Sequence, residues 1–174
     1  MKRTMLLLPL FVVLAITACG PTQTAQPTTV TLRNIFGSVV GNVIVTEVSD
    51  GVKFSFQITG LPAGKHGWHL HAVGKCDTPD FTTAGAHFNP DNKKHGLQSA
   101  DGSHAGDSDG LTVSADGAAT FEYVNKRVKF AAGAANSVFQ KDGLAIVVHA
   151  TDDDQKTDPT GNSGGRIACG LILQ

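Results

Sequence analysis

The stretch Val39-Val40-Gly41-Asn42-Val43-Ile44-Val45-Thr46-Glu47-Val48-Ser49-Asp50-Gly51-Val52-Lys53-Phe54-Ser55-Phe56-Gln57-Ile58 decides the fold class. From Val52 to Ile58 every second residue is apolar, which is the period of a strand with one buried face. Val39 to Val48 is dense in β-branched residues, which suit a pleated surface. Asp50-Gly51 between them is a strong signal for a two-residue hairpin turn. Further along, Leu111-Thr112-Val113, Asp116-Gly117 and Ala119 to Val124 read as a second hairpin. Leu144 to Val148 is a continuous apolar strand, and Arg166 to Leu173 a final one. No stretch keeps an apolar period of 3.6 residues. Short strands with Gly-rich turns predict an all-β sandwich or barrel. Residues 72–110 and 151–165 fit no element, and loops this long in a compact domain are usually functional.

The N-terminal residues read as a targeting segment. Lys2 and Arg3 precede an apolar run from Met5 to Ile16 that is short for a membrane span. Ile16-Thr17-Ala18-Cys19 then resembles a lipobox, with Cys19 acylated as the mature N-terminus; the alternative is an ordinary secretory signal. Residues 1–18 are thus expected to be a lipoprotein signal peptide, and 19–29 the lipidated cysteine and a Pro-, Thr- and Gln-rich tether too poor in apolar residues to bury itself. Residues 30–174 form one domain of about 145 residues, a normal size for a single core. The expected location is the cell envelope or periplasm, anchored to a membrane by lipid.

Export sets the redox compartment. After Cys19 only Cys76 and Cys169 remain, so they can pair in just one way; the alternative is two buried free thiols. The formal charge is −1, and cleavage before Cys19 removes Lys2 and Arg3 but no acid, leaving −3. No basic run interleaved with aromatic residues exists, so nucleic acid is not an expected partner.

The seven histidines all lie between residues 66 and 149. His69 and His71, two apart in a predicted strand, share one face, while Trp68 and Leu70 turn to the core. His149 ends the apolar strand Leu144–Val148. A lone His-x-His or a lone strand-end histidine is more often structural than metal-binding. His87, His95 and His104 with Asp107 lie in the first long loop, and together the set points to a metal site.

With these residues the chain resembles the copper/zinc superoxide dismutases of the bacterial envelope. The resemblance is carried by Gly67-Trp68-His69-Leu70-His71, by Cys76-Asp77-Thr78-Pro79-Asp80-Phe81 running into His87-Phe88-Asn89-Pro90, by Asp158-Pro159-Thr160-Gly161-Asn162-Ser163-Gly164-Gly165-Arg166, and by Ala168-Cys169-Gly170. It implies an eight-stranded Greek-key flattened barrel with two long functional loops. It implies one copper per chain on His69, His71, His87 and His149, and one zinc on His87, His95, His104 and Asp107. His87 would bridge the two ions. Imidazoles suit both metals, and three histidines with one carboxylate make a closed zinc site. Asp153, flanked by Asp152 and Asp154, would link a copper ligand to a zinc ligand, namely His69 and His95. Arg166 would attract and position a small anion, with Lys156 adding to the local field. His66 would anchor a loop rather than bind metal.

The implied reaction converts two superoxide anions to dioxygen and hydrogen peroxide, copper cycling between Cu(II) and Cu(I) while zinc tunes His87. In the second half, His87 and solvent supply the protons. The resemblance allows a monomer or a homodimer and names no copper donor. Three positions depart from the family pattern. Ala72 replaces an acidic or amide residue, Ser108-Asp109-Gly110 stands where Leu-Pro-Asn is frequent, and Gln155 stands where an aromatic residue would shape the channel rim. The competing reading is a noncatalytic envelope protein that binds or buffers copper.

Overall fold

The computed structural model describes residues 26–173. The expected signal segment and Cys19 lie outside the described residues. Nine strands are present among them: β1 Thr28–Asn34, β2 Val39–Val48, β3 Gly51–Thr59, β4 Gly64–His66, β5 Trp68–His71, β6 Leu111–Val113, β7 Ala118–Asn125, β8 Leu144–His149 and β9 Arg166–Ile172. The only helical turn among the described residues is Thr82–Ala84. No helix there is long and apolar enough to cross a membrane.

The predicted first hairpin forms, with its turn one residue earlier than Asp50-Gly51. Val48 pairs with Gly51, so Ser49 and Asp50 make the loop. The register explains the shift. Val43 faces Phe56 and Val45 faces Phe54, and all four are buried on one side. A one-residue slip would turn that whole set to solvent. Each such apolar side chain contributes about 1.5–3 kcal/mol when fully buried.

β1 begins at Thr28, inside the stretch whose composition suggested a tether. Val30 and Leu32 are buried while Thr29, Thr31 and Arg33 are not, so the strand carries the period-2 signal after all. The second predicted hairpin needs correction. Its tight turn exists, with Ser114 N–H donating to Ala118 O at 2.9 Å and Gly117 N–H to Ser114 O at 2.9 Å. The strands it joins do not pair with one another. β7 zips along all of β3, from Val52↔Asn125 to Thr59↔Ala118, whereas the short β6 pairs with β4.

Every ladder is antiparallel, and the large sheet runs β5-β8-β9-β1-β2-β3-β7. β4 and β5 are one strand interrupted at Gly67, which accounts for nine strands where eight were expected. β4 pairs with β6, which lies beside β7, and β5 pairs with β8. The strand therefore passes from one edge of the curled sheet to the other and closes the barrel. At the break, Gly67 N–H donates to Thr151 O at 2.8 Å and Gly67 O accepts from His149 N–H at 2.8 Å.

The main core gathers Phe54, Phe56, Trp68, Leu70, Ile146 and Val148 inside the barrel. β8 is buried along its whole length. Its other face, Ala145 and Val147, packs with Phe81, Ala84 and Cys169 under the first long loop. Cys76 and Cys169 are joined as a disulfide across 93 residues. Replacing both cysteines with serine is expected to lower the unfolding free energy by about 4–5 kcal/mol on the chain-entropy account. A urea denaturation series checks this.

Candidate metal centre

Strand alternation places the ligand candidates. Trp68 and Leu70 point into the barrel, so His69 and His71 point out of it, opposite Val147 and Ala145 of β8. His149 continues that outer face. The two long loops cover it, and all six histidines from His69 onward are buried. Arg166 reaches the same face through a bulge. Val148 pairs with Ala168 but His149 pairs with Arg166, skipping Ile167. Simple alternation would have turned Arg166 inward with Ala168; the extra residue re-aims it.

In the first group, His69, His71, His87 and His149 each offer a ligand atom, all within 4.8 Å of one another. His71 Nδ1–H donates to Gly85 O at 2.9 Å, and His149 Nδ1–H donates to Gly164 O at 3.2 Å. Their Nε2 atoms, left without protons, face each other at 3.3 Å. His69 Nε2–H donates to Asp153 Oδ2 at 2.6 Å, leaving its Nδ1 buried with no partner. His87 Nε2 is likewise buried and unpartnered. Orphaned imidazole lone pairs that converge in a buried site fit a first-row transition-metal ion such as copper.

In the second group, Asp107 Oδ1 lies 3.0 Å from His95 Nδ1, 3.1 Å from His87 Nδ1 and 3.1 Å from His104 Nδ1. His95 Nδ1 has no hydrogen-bond partner despite that distance. Three nitrogens and one oxygen at such spacing suit a small tetrahedral ion bound at about 2.0–2.2 Å. Asp107 Oδ2 is fixed by Gly96 N–H at 2.8 Å and His104 N–H at 3.0 Å. The four residues whose ligand atoms all lie within 4.8 Å of one another here are His69, His87, His95 and Asp107, with His104 outside that set and joined to it through Asp107; His69's own hydrogen bond goes to Asp153.

Electrostatics agree with these roles. Burial pulls His69 and His71 below the usual imidazole range, His87 down to about 4 and His149 to about 3. Neutral imidazole is the form that binds metal. At His95 burial opposes the charge, but Asp107 and Asp153 outweigh it and raise the ring to about 9. Burial also opposes the charge on Asp107, yet its histidine partners hold it far below the usual carboxylate range. Two buried carboxylates thus call for a positive charge that a divalent ion can supply.

Asp153, not its acidic neighbours, occupies the linking position. Its Oδ2 meets His69 and its Oδ1 lies 3.1 Å from His95 Nε2. Gly161 packs against this link, with φ +64°; a Cβ there would lie 2.0 Å from Asp153 Oδ1 and 2.6 Å from His95 Nε2. Gly161→Ala is therefore expected to weaken metal affinity by roughly the 10–100-fold typical of losing an outer partner of a ligand. A chelator-competition titration measures it.

The family profile for copper/zinc superoxide dismutase (SODC) matches residues 39–172. The chain belongs to the copper/zinc superoxide dismutase family. It is 39% identical to "Superoxide dismutase [Cu-Zn] 1" of Aquifex aeolicus over 137 residues, 78% of this chain and 81% of the relative. A solved SOD-like protein from Bacillus subtilis superposes with TM-score 0.80 at 36% identity, covering 83% of this chain and 97% of that one. The Cu/Zn superoxide dismutase from Brucella abortus gives TM-score 0.70 at 29% identity, covering 84% and 99%.

The metal-centre face of this superoxide dismutase domain is open to solvent on one side. A cavity of about 610 Å³ is lined by His71, His87, His149, Thr160, Asn162 and Arg166 among others. Arg166 donates from Nη1 to Phe81 O at 2.5 Å and from Nη2 to Gly85 O at 2.7 Å. Lys156 is exposed and does not line the cavity. His66 sits between two backbone carbonyls, its Nδ1 2.7 Å from His149 O and its Nε2 2.9 Å from Pro62 O. Ala72 keeps only a backbone contact to the neighbouring loop, its N–H donating to Ala86 O at 2.9 Å. The expectation for Gln155 is corrected. It is buried at 8% exposure rather than sitting on a rim. A glutamine following three acids gave no sequence signal of that burial.

Proposed function

We propose that this chain is an envelope superoxide dismutase, tethered through a lipidated Cys19. His69, His71, His87 and His149 would hold copper, and His87, His95, His104 and Asp107 would hold zinc. The observation that carries the reading is His87: Nδ1 lies against Asp107 while Nε2 is buried and unpartnered. One ring thus serves both groups. When bound, copper supplies one-electron chemistry and zinc a fixed positive charge beside the ring.

The chain's own residues do the rest. Arg166 draws superoxide into the cavity and orients it; of its five N–H donors, two hold backbone carbonyls and three remain. In the half of the cycle in which its Nε2 is free of metal, His87 would hold a proton there and deliver it to the departing peroxide, the second proton coming from solvent through the open cavity. Asp153 fixes the ring orientations of His69 and His95. The disulfide ties the loop carrying Phe81 and Gly85 to the strand carrying Arg166.

Metal content per chain, measured with dismutation activity before and after copper loading, tests the reading. One copper and one zinc with high turnover are expected. Both metals without turnover would identify a copper-binding protein instead. Lys156 contributes only through long-range attraction, so Lys156→Ala is expected to lower the rate modestly at low salt and not at high salt. An unchanged rate and salt dependence would remove it from the steering set.

A further inference from the structure

Gln155 is a buried polar residue whose side chain bonds to two separate segments and whose backbone bonds to Asp153 and Gln98. Its backbone N–H donates to Asp153 Oδ1 at 2.7 Å. Its Oε1 accepts from Leu97 N–H at 3.1 Å, two residues after His95. Its Nε2 donates to Ser108 O at 3.0 Å, one residue after Asp107. Its own carbonyl accepts from Gln98 N–H at 3.3 Å. Gly96 is pressed against that carbonyl; with φ +101°, a Cβ there would lie 2.0 Å from Gln155 O. Gln155 itself has φ +61°, a conformation that a non-glycine residue keeps only when its surroundings hold it.

The chemistry of the contact is restrictive. Leu97 N–H can only donate and Ser108 O can only accept. A neutral carboxamide satisfies both at once; a carboxylate, an aromatic ring or an aliphatic chain cannot. Ser108 is itself anchored, with its hydroxyl donating to Trp68 O in the core. A continuous chain of bonds therefore runs from the strand of His69, through Ser108 and Gln155, to the segment of His95. The two departures noted in the sequence, at 108 and 155, meet in one hydrogen bond.

We propose that Gln155 is a positioning residue of the zinc cluster, its carboxamide clamping the segments that carry His95 and Asp107 in register with Asp153. This rests on the reading that zinc occupies the His87, His95, His104 and Asp107 cluster. Gln155 touches no ligand atom. It sets the spacing between the segments that present them.

The test uses the mature protein, stripped of metal and refilled with zinc against a chromophoric chelator. Failure of the parent to bind zinc would defeat the zinc reading itself. With zinc bound by the parent, Gln155→Met keeps the bulk and removes both side-chain hydrogen bonds. Its zinc dissociation constant is expected to rise by roughly 10–100-fold, the usual consequence of losing an outer partner. An affinity within twofold of the parent, even with a lowered unfolding midpoint, would overturn the proposal and leave Gln155 a packing residue. A second arm needs no variant. Linkage is reciprocal, so zinc must tighten the clamp as the clamp tightens zinc. Exchange of the Leu97 amide hydrogen in the parent is expected to slow at least tenfold on zinc addition. An unchanged rate there overturns the proposal as well.

Discussion

His87→Ala is expected to empty both metal positions together and to abolish dismutation. The ring presents Nδ1 to the Asp107 group and Nε2 to the group of His69, His71 and His149. Removing it takes one ligand from each and leaves a void between them. The loss should exceed the roughly 10–100-fold that removing a mere outer partner of a ligand costs. His104→Ala is the control. Its Nδ1 meets only Asp107, and it belongs to no cluster with His71 or His149. That variant is expected to lose zinc while retaining most of its copper. Metal analysis of both variants after dialysis separates the cases. Parent levels of either metal in His87→Ala, or full zinc in His104→Ala, would break the division of roles.

The parts of this site differ in how far the sequence discloses them, for physical reasons. Period-2 alternation fixes faces, so the outward aim of His69 and His71 is legible from Trp68 and Leu70 alone. Alternation does not name partners. Hence the turn at Asp116-Gly117 is readable, while the long-range pairing of β7 with β3 and of β6 with β4 is not. A bulge leaves no mark in composition, so nothing local announced that Arg166 would face His149 rather than the core. Asp152, Asp153 and Asp154 are chemically alike, and only a fold decides which of three adjacent carboxylates reaches two histidines. Gln155 was misplaced for a related cause. Its burial depends on partners at Leu97 and Ser108, and tertiary satisfaction of a polar group has no sequence period.

Arg166→Ala is expected to lower kcat/KM for superoxide within the roughly 10–1000-fold range that focused charge in a cleft contributes. The chain carries a formal net charge of −1, so the protein as a whole offers an anion no attraction and any attraction must be local. Arg166 stands beside His71 and His149 in the cavity wall, where the proposed function needs that charge. Its position is fixed twice, by Phe81 O and by Gly85 O, and Gly85 O also accepts from His71 Nδ1–H. One carbonyl thereby holds both Arg166 and His71. Arg166→Lys separates charge from geometry. Lysine keeps the charge but cannot hold two carbonyls with a planar fork. It is expected to retain the parent's decline of rate with ionic strength while recovering only part of the rate. Arg166→Ala should lose that decline, because the attraction screened over about 8 Å at physiological salt is gone. Metal content should stay at parent levels in both variants, since Arg166 touches no ligand nitrogen. A parent-like kcat/KM in Arg166→Ala, measured on fully metallated protein across a salt series, would remove the arginine from the path of the substrate.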